Sequence, residues 1–155
     1  MENDDIISTL NDLIETCKDG EEGFKTCAED ASDRHPQLKT LLADRQRGCA
    51  AAASALQDLV RAQGGDPETS SSVAGALHRS WVNIKTAITG KDDEIVLNEC
   101  ERGEDSAVRS YRKALEKDLP AHIRLVVERQ YQGVLRNHEQ IKNLRDQVKA
   151  SEQVR

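Results

Sequence analysis

Aromatic residues are scarce in this sequence. They make up only 3% of its 155 residues, whereas a β-sandwich or barrel needs many aromatic and β-branched side chains. Residues that favour helices, such as Ala, Leu, Glu, Lys, Gln and Arg, dominate instead. With 37% hydrophobic and 32% charged residues, the chain suits one domain built around a continuous core. We therefore expect a single all-α domain over residues 1–155.

The chain also lacks an excess of positive charge, a secretory leader pattern and a long apolar run. Its formal net charge is −6, and acidic and basic residues are interspersed, so no basic face is available for phosphate contacts. The amino terminus is acidic, without a basic segment leading into an apolar stretch. No apolar run approaches the ~20 residues of a membrane span. These absences predict no nucleic-acid binding, no membrane span and a cytoplasmic location.

The cysteines lack the spacing of a metal or redox motif. The sequence contains no CxxC pair and no His/Cys cluster of the zinc kind. Each cysteine falls on the apolar face of its own predicted helix, where a free thiol behaves as a small hydrophobic side chain. We expect buried, reduced thiols at Cys17, Cys27, Cys49 and Cys100.

Four long segments carry apolar residues at steps of three and four, a pattern typical of core-facing helices. These segments span about residues 3–32, 36–64, 92–118 and 120–150. Pro36 suits the first turn of the second helix, and Gly64 with Gly65 predicts its end. A shorter amphipathic helix, about residues 73–89, precedes the third long helix. Its expected packing anchors are Leu77, Trp81 and Ile84.

The connections between these helices predict the topology. The first two long helices, and the last two, are joined by turns so short that each pair must form an antiparallel hairpin. The connection between the hairpins spans residues 65–91 and is long enough to run the length of a bundle. A single long crossover of this kind is the ferritin-like arrangement. The predicted fold is therefore an all-α, ferritin-like four-helix bundle with an extra short helix in its crossover.

Three segments of the sequence resemble a known family: residues 13–20 (LIETCKDG), 77–81 (LHRSW) and 101–105 (ERGED). They are similar to bacterial four-helix-bundle proteins of the ferritin-like clan, in the uncharacterised family called domain of unknown function 2383. The resemblance spans nearly the whole chain. It implies the fold and little about function, because one fold serves many functions.

This resemblance raises the question of a di-iron centre. Di-iron members of the clan place one Glu on each of two helices and a Glu-x-x-His motif on each of the other two. Glu21 and Glu104 are counterparts of the single glutamates, but both Glu-x-x-His motifs are absent. The second helix offers Arg45, and the fourth offers His138 without a Glu three residues before it. If the chain bound a metal, we would expect iron held by Glu21, Glu104 and His138.

A structural interpretation fits the inward polar residues better. Arg45 is expected at the height of Glu21, where the two can form a buried or half-buried ion pair, and Glu104 is expected to meet polar residues of the fourth helix. Such a layer fixes helix register while adding little net stability. The predicted interior polar layer comprises Glu21, Arg45, Glu104, Gln130, Asn137 and His138. His35 and His122, beside prolines at helix starts, are expected to be exposed.

Three functions are compatible with this scaffold. The leading hypothesis is a non-enzymatic module that forms a dimer or other homo-oligomer, or binds a partner protein, in stress or envelope physiology. No catalytic signature is evident in the sequence. The alternative is a degenerate di-metal protein that handles iron or acts as an oxidase. The third is a small-molecule carrier whose pocket opens between Gly20, Gly48, Gly103 and Gly133.

Overall fold

The computed structural model describes residues 1–70 and 93–153, which form helices and connecting turns without a strand. Their four helices are α1 (Asn3–Asp30), α2 (Pro36–Ala62), α3 (Asp93–Leu115) and α4 (Ala121–Gln153). The all-α prediction is confirmed. The predicted crossover helix and its anchors Leu77, Trp81 and Ile84 lie outside the described residues. No described helix combines the length and the apolar character that crossing a membrane requires.

α2 ends just before Gly64 and Gly65, the glycines that predicted its end. Gly64 has a φ of +80°, a left-handed conformation that a residue without Cβ adopts at little cost. The N–H of Gly64 donates to the backbone oxygen of Arg61 over 2.9 Å, and the N–H of Gly65 donates to that of Val60 over 3.0 Å. These two bonds form a Schellman motif, which satisfies carbonyls left open at the end of a helix.

Contacts at the two ends of the bundle fix the topology. At one end, the Asn3 amide donates to the backbone oxygen of Gln63 over 2.9 Å, so α2 ends where α1 begins. At the other end, Ser32 and His35 donate to Asp93, so α3 begins beside the α1–α2 turn. The chain between α2 and α3 therefore joins opposite ends of the bundle. This confirms the ferritin-like arrangement, with α1 and α4 running one way and α2 and α3 the other.

Asp93 explains two departures from the sequence prediction. Its Oδ1 accepts the backbone N–H of Ser32 over 2.8 Å, and its Oδ2 accepts the Ser32 hydroxyl over 2.5 Å. Because Ser32 donates to Asp93 rather than into the helix, α1 ends at Asp30 instead of near residue 32. His35 Nδ1 also donates to Asp93 Oδ2, over 2.8 Å, and its side chain is 12% exposed. The expectation that His35 is exposed was wrong, whereas His122 is exposed as predicted.

The core consists of two apolar clusters, one toward each end of the bundle. The cluster near the start of α1 includes Leu10, Ile14 and Leu56, and the cluster near the α1–α2 turn includes Phe24, Leu38 and Leu97. Between the two clusters lies a central layer that is less completely packed. Among the described residues, α2 makes few contacts with α4, so their part of this layer is open along the α2–α4 seam.

The cysteines are free, as predicted, and three of them are buried. Cys49 is only partly buried. Cys100 Sγ on α3 lies 3.1 Å from Cys27 Sγ on α1, in the cluster near the α1–α2 turn. Their packing ties the start of α3 to the end of α1.

Candidate functional site

The central layer contains a cavity of about 560 Å³ that all four described helices line. Its apolar wall includes Phe24 on α1, Ala107 on α3 and Val134 on α4. Its position follows from the core, because α1 contributes residues 16–24 here, between its portions of the two apolar clusters. A volume of this size falls within the roughly 300–1,000 Å³ of pockets that hold small ligands.

One glycine from each helix lines the cavity, and together they account for part of its volume. These are the four small residues between which the sequence predicted a pocket: Gly20, Gly48, Gly103 and Gly133. A Cβ atom at Gly20 would lie 2.9 Å from Cys49 Sγ, so glycine is needed there for α1 and α2 to approach closely. A Cβ at Gly48 would meet nothing within 4 Å, and one at Gly133 would meet only Arg136 Nη2, at 3.8 Å. A Cβ atom at either of these two positions would therefore collide with no described residue.

Two polar groups in the cavity wall have no hydrogen-bond partner among the described residues. Glu104 is 4% exposed, and its Oε1 atom is buried and unpaired. The Nε atom of Arg45 is buried and unpaired as well. Burial raises the pKa of the Glu104 carboxyl to about 8, with the charge of Arg45 opposing the rise and that of Asp105 adding to it. A buried polar group without a partner costs about 1–3 kcal/mol, which a ligand with a complementary group would offset.

A hydrogen-bond chain borders the cavity on the side of the first apolar cluster. The Tyr111 hydroxyl donates to Gln130 Oε1 over 2.8 Å and lies 3.2 Å from Cys17 Sγ. Gln130 Nε2 in turn donates to the backbone oxygen of Ala52 over 3.3 Å. The chain links α1, α3, α4 and α2 at one level, so it holds the helices at a fixed separation beside the cavity.

Burial keeps the two cysteine thiols and the tyrosine hydroxyl of this wall in their uncharged forms. It raises the pKa of the Cys17 thiol to about 11, against an opposing hydrogen bond with Tyr111. Burial also raises the pKa of Cys49 and of Tyr111 well above their usual values. Because the thiolate is the nucleophilic form of cysteine, these thiols are poorly suited to covalent catalysis.

Four members of the predicted interior polar layer line the cavity: Arg45, Glu104, Gln130 and Asn137. The other two lie elsewhere. Glu21 is half-buried on α1, and its Oε2 lies 3.5 Å from Lys18 Nζ, one turn earlier in the same helix. His138 Nε2 donates to Asp105 Oδ1 over 2.5 Å, so this histidine meets Asp105 rather than Glu104. Asp105 and Glu104 are adjacent residues that differ in their angular position around α3. The spacing of apolar residues does not show which of the two faces His138.

The donor set of the cavity does not fit a di-iron centre. Among the described residues that line it, Glu104 is the only carboxylate, and two arginines, Arg45 and Arg136, share the wall. Di-iron sites of this fold need several carboxylates and two histidines. Glu21 and Glu104 belong to no metal-capable cluster of the described residues, and His138 belongs to one with Glu101 and Asp105, so the three predicted ligands do not converge on one point. We therefore derive no iron chemistry from this cavity.

Sequence reasoning missed the Tyr111 hydroxyl, Cys17 and Thr16 as parts of the wall. Cys17 was expected on the apolar face of its helix, and it does lie in the core, as does Tyr111. Their polar atoms meet because α1 and α3 cross at this height. To predict this contact, one would need the axial register between the two hairpins. Apolar periodicity does not specify that register.

Comparison with known proteins identifies the family. The sequence matches Domain of unknown function (DUF2383) over residues 5–117. The chain belongs to this family. No curated protein matches it. Among solved structures, a Dps1 mutant from Mycobacterium smegmatis superposes with a TM-score of 0.75 and 10% identity, covering 91% of this chain and 95% of that one. At this identity the likeness establishes the ferritin-like fold of this DUF2383 protein and nothing about its ligands.

The family match ends before α4 begins. The cavity therefore combines residues inside the matched region, such as Arg45 and Glu104, with residues beyond it, such as Gln130 and Asn137.

Proposed function

We propose that this DUF2383 protein is a non-enzymatic helical bundle that binds a small molecule in its central cavity. The observation that carries the proposal is Glu104, a 4% exposed residue of the cavity wall whose Oε1 has no partner among the described residues. The unpaired Nε of Arg45 supports it. Unpaired buried groups destabilise a fold, and their presence in a cavity of about 560 Å³ is expected where a ligand completes the structure.

The cavity wall indicates the chemistry of the ligand. Most of the wall is apolar, so the body of the ligand is apolar. The Nε–H of Arg45 needs a hydrogen-bond acceptor on the ligand. When Oε1 of Glu104 acts as an acceptor, it needs a donor on the ligand. Amides, lactams and ureas present a donor and an acceptor side by side. We infer that the ligand is a mostly apolar, neutral molecule that carries one such group.

Cavity-filling substitution gives the sharpest test. Gly133→Leu adds a side chain at a position that lines the cavity, where its Cβ would meet only Arg136 Nη2, at 3.8 Å, among the described residues. It also removes a glycine from the middle of α4, so the variant should fold at least as stably as the wild type. Gln132→Leu, at the neighbouring exposed position, is the matched control for added hydrophobicity.

A thermal-shift screen with a set of amides, lactams and ureas is then run on the three proteins. We expect compounds that raise the unfolding temperature of the wild type and of Gln132→Leu but not of Gly133→Leu. Calorimetric titration of a hit into Glu104→Leu and Arg45→Met should give at least about tenfold weaker binding, since each variant removes one buried hydrogen bond. If no compound separates the wild type from Gly133→Leu, the cavity holds only water and the proposal fails.

Self-association and partner binding remain predictions from the sequence. Light scattering over a range of protein concentrations tests self-association directly, since the measured mass of a homo-oligomer is a multiple of the monomer mass. Iron handling remains the alternative prediction, and iron analysis after loading tests it. The free state of the four cysteines supports the proposal of a reducing compartment such as the cytoplasm.

A further inference from the structure

A second polar cluster lies outside the cavity, on the α3–α4 face. Glu101 and Asp105 are four residues apart on α3, so they point in the same direction along the helix. His138 on α4 lies opposite them. One ligand atom from each of the three residues can be chosen so that all three atoms lie within 4.8 Å of one another. None of the three lines the cavity.

We propose that Glu101, Asp105 and His138 bind a divalent first-row transition-metal ion. Two carboxylates balance the charge of a divalent cation, and an imidazole nitrogen favours zinc, copper, iron or nickel over calcium or magnesium. Three ligands from the protein leave further coordination positions for water. Among the described residues this is the only group of histidine, cysteine and carboxylate side chains that is arranged to share an ion.

The site rests on two helices whose packing holds the ligands in place. α3 and α4 form an extensively packed hairpin, in which Arg112 Nε also donates to the Tyr131 hydroxyl over 2.9 Å. The three candidate ligands are all partly buried. Ligands on rigid helices keep their spacing better than ligands on loops, so little ordering is needed when the ion binds.

Without an ion, His138 and Arg145 pair with the same carboxylates. His138 Nε2 lies 2.5 Å from Asp105 Oδ1. Arg145 forms an ion pair with Glu101, and its second terminal nitrogen lies 3.2 Å from Asp146 Oδ1. An ion with ligand distances of about 2.0–2.2 Å would separate the His138 and Asp105 atoms to roughly 3 Å. It would also displace Arg145 from one oxygen of Glu101. Arg145 therefore acts as a competitor of the metal, with Asp146 available to retain it.

This competition gives the proposal a distinctive test. In calorimetric titrations with zinc chloride, we expect one site in the wild type and at least tenfold weaker binding in His138→Gln and Asp105→Asn. Arg145→Gln should bind zinc more tightly than the wild type, because the competing cation is removed. Glu139→Gln, a change at the exposed neighbour of His138, is the matched control and should leave the affinity unchanged. Circular dichroism in the presence of a chelator verifies that each variant is folded.

A second measurement locates the ion and avoids the thiols, which also bind zinc. Paramagnetic Mn²⁺ should broaden the ring signals of His138 in NMR spectra at concentrations that leave those of His122 and His35 sharp. Equal zinc affinity in the wild type and His138→Gln, weaker binding in Arg145→Gln, or equal broadening of the three histidines would each overturn the proposal. Glu104→Leu should keep the wild-type zinc affinity, so failure of the cavity proposal and failure of this one are distinguishable.

Discussion

Replacing Asp93 by alanine tests how the crossover topology is held. The Asp93 carboxylate accepts three hydrogen bonds, from the backbone N–H of Ser32, from its hydroxyl and from His35 Nδ1. These bonds attach the start of α3 to the α1–α2 turn, although the residues are 58–61 positions apart in the sequence. Asp93→Ala removes all three bonds, so it should loosen this end of the bundle.

The size of the effect follows from the bonds that are lost. A hydrogen bond to a charged group contributes about 1.5–3 kcal/mol, and a buried N–H left without a partner costs about 1–3 kcal/mol. The three bonds share one acceptor and are not additive. We expect the free energy of unfolding to fall by about 3–5 kcal/mol and the unfolding temperature by roughly 6–20 °C, at about 2–4 °C per kcal/mol for a domain of this size.

The pH dependence of the same variant gives an independent check. Burial alone raises the pKa of Asp93, but the hydrogen bonds from Ser32 and His35 outweigh it and lower the pKa below its usual value. A carboxyl with a lowered folded-state pKa stabilises the fold above its unfolded pKa of about 4, and this contribution is lost as the pH falls through the folded pKa. The stability difference between wild type and Asp93→Ala should therefore be full at neutral pH and shrink below about pH 4.

Urea denaturation followed by far-UV circular dichroism measures both effects. Asp118→Asn is the control, since Asp118 is an exposed aspartate in the turn at the opposite end of the bundle. It should change the free energy of unfolding by less than about 0.5 kcal/mol. A loss in Asp93→Ala no larger than that of the control, or a difference that grows in acid, would refute the proposed role of Asp93.

Three further predictions follow from the packing. Tyr111→Phe should destabilise the fold by about 1–2 kcal/mol in urea denaturation, because Gln130 loses the hydroxyl that donates to it; no loss would contradict the bond. Gly64→Ala should lower the free energy of unfolding by about 1–2 kcal/mol, because Gly64 has a φ of +80°. Gly48→Ala should raise it by about 0.5–1 kcal/mol, because Gly48 lies inside α2 and the added Cβ would meet nothing within 4 Å. Cys27 and Cys100 should resist iodoacetamide until urea is added, because both are fully buried and burial raises the pKa of Cys100; peptide mapping of native and unfolded protein would detect earlier modification.

Local sequence signals were sufficient to predict the long helices and several of the residues that line the cavity. The three/four spacing located all four long helices to within three residues at each end. The four glycines marked the layer where the core is incomplete, because a missing side chain leaves space wherever the helix faces inward. Arg45, Glu104, Gln130 and Asn137 were recognised as polar residues on inward faces, and all four line the cavity.

Pairing between polar residues was less predictable. His138 was expected to meet Glu104, but it contacts Asp105, the next residue along α3. Glu21 was expected to meet Arg45, but its Oε2 lies 3.5 Å from Nζ of Lys18 on its own helix. Adjacent residues of a helix lie roughly 100° apart around its axis. The spacing of apolar residues defines an inward face about as wide as that, so it leaves the choice between neighbouring residues open.

The amino-acid sequence by itself determined that this protein is a bundle of four long helices with one long crossover, because hydrophobic periodicity, prolines, glycines and connection lengths all act locally along the chain. Only the tertiary structure decided which distant side chains meet. It brought His35 and Ser32 to Asp93, left Oε1 of Glu104 unpaired in a cavity, and placed His138 beside Glu101 and Asp105. The physical reason is that these contacts depend on the rotation and axial shift of each helix, which are set by the packing of the whole core rather than by any one segment.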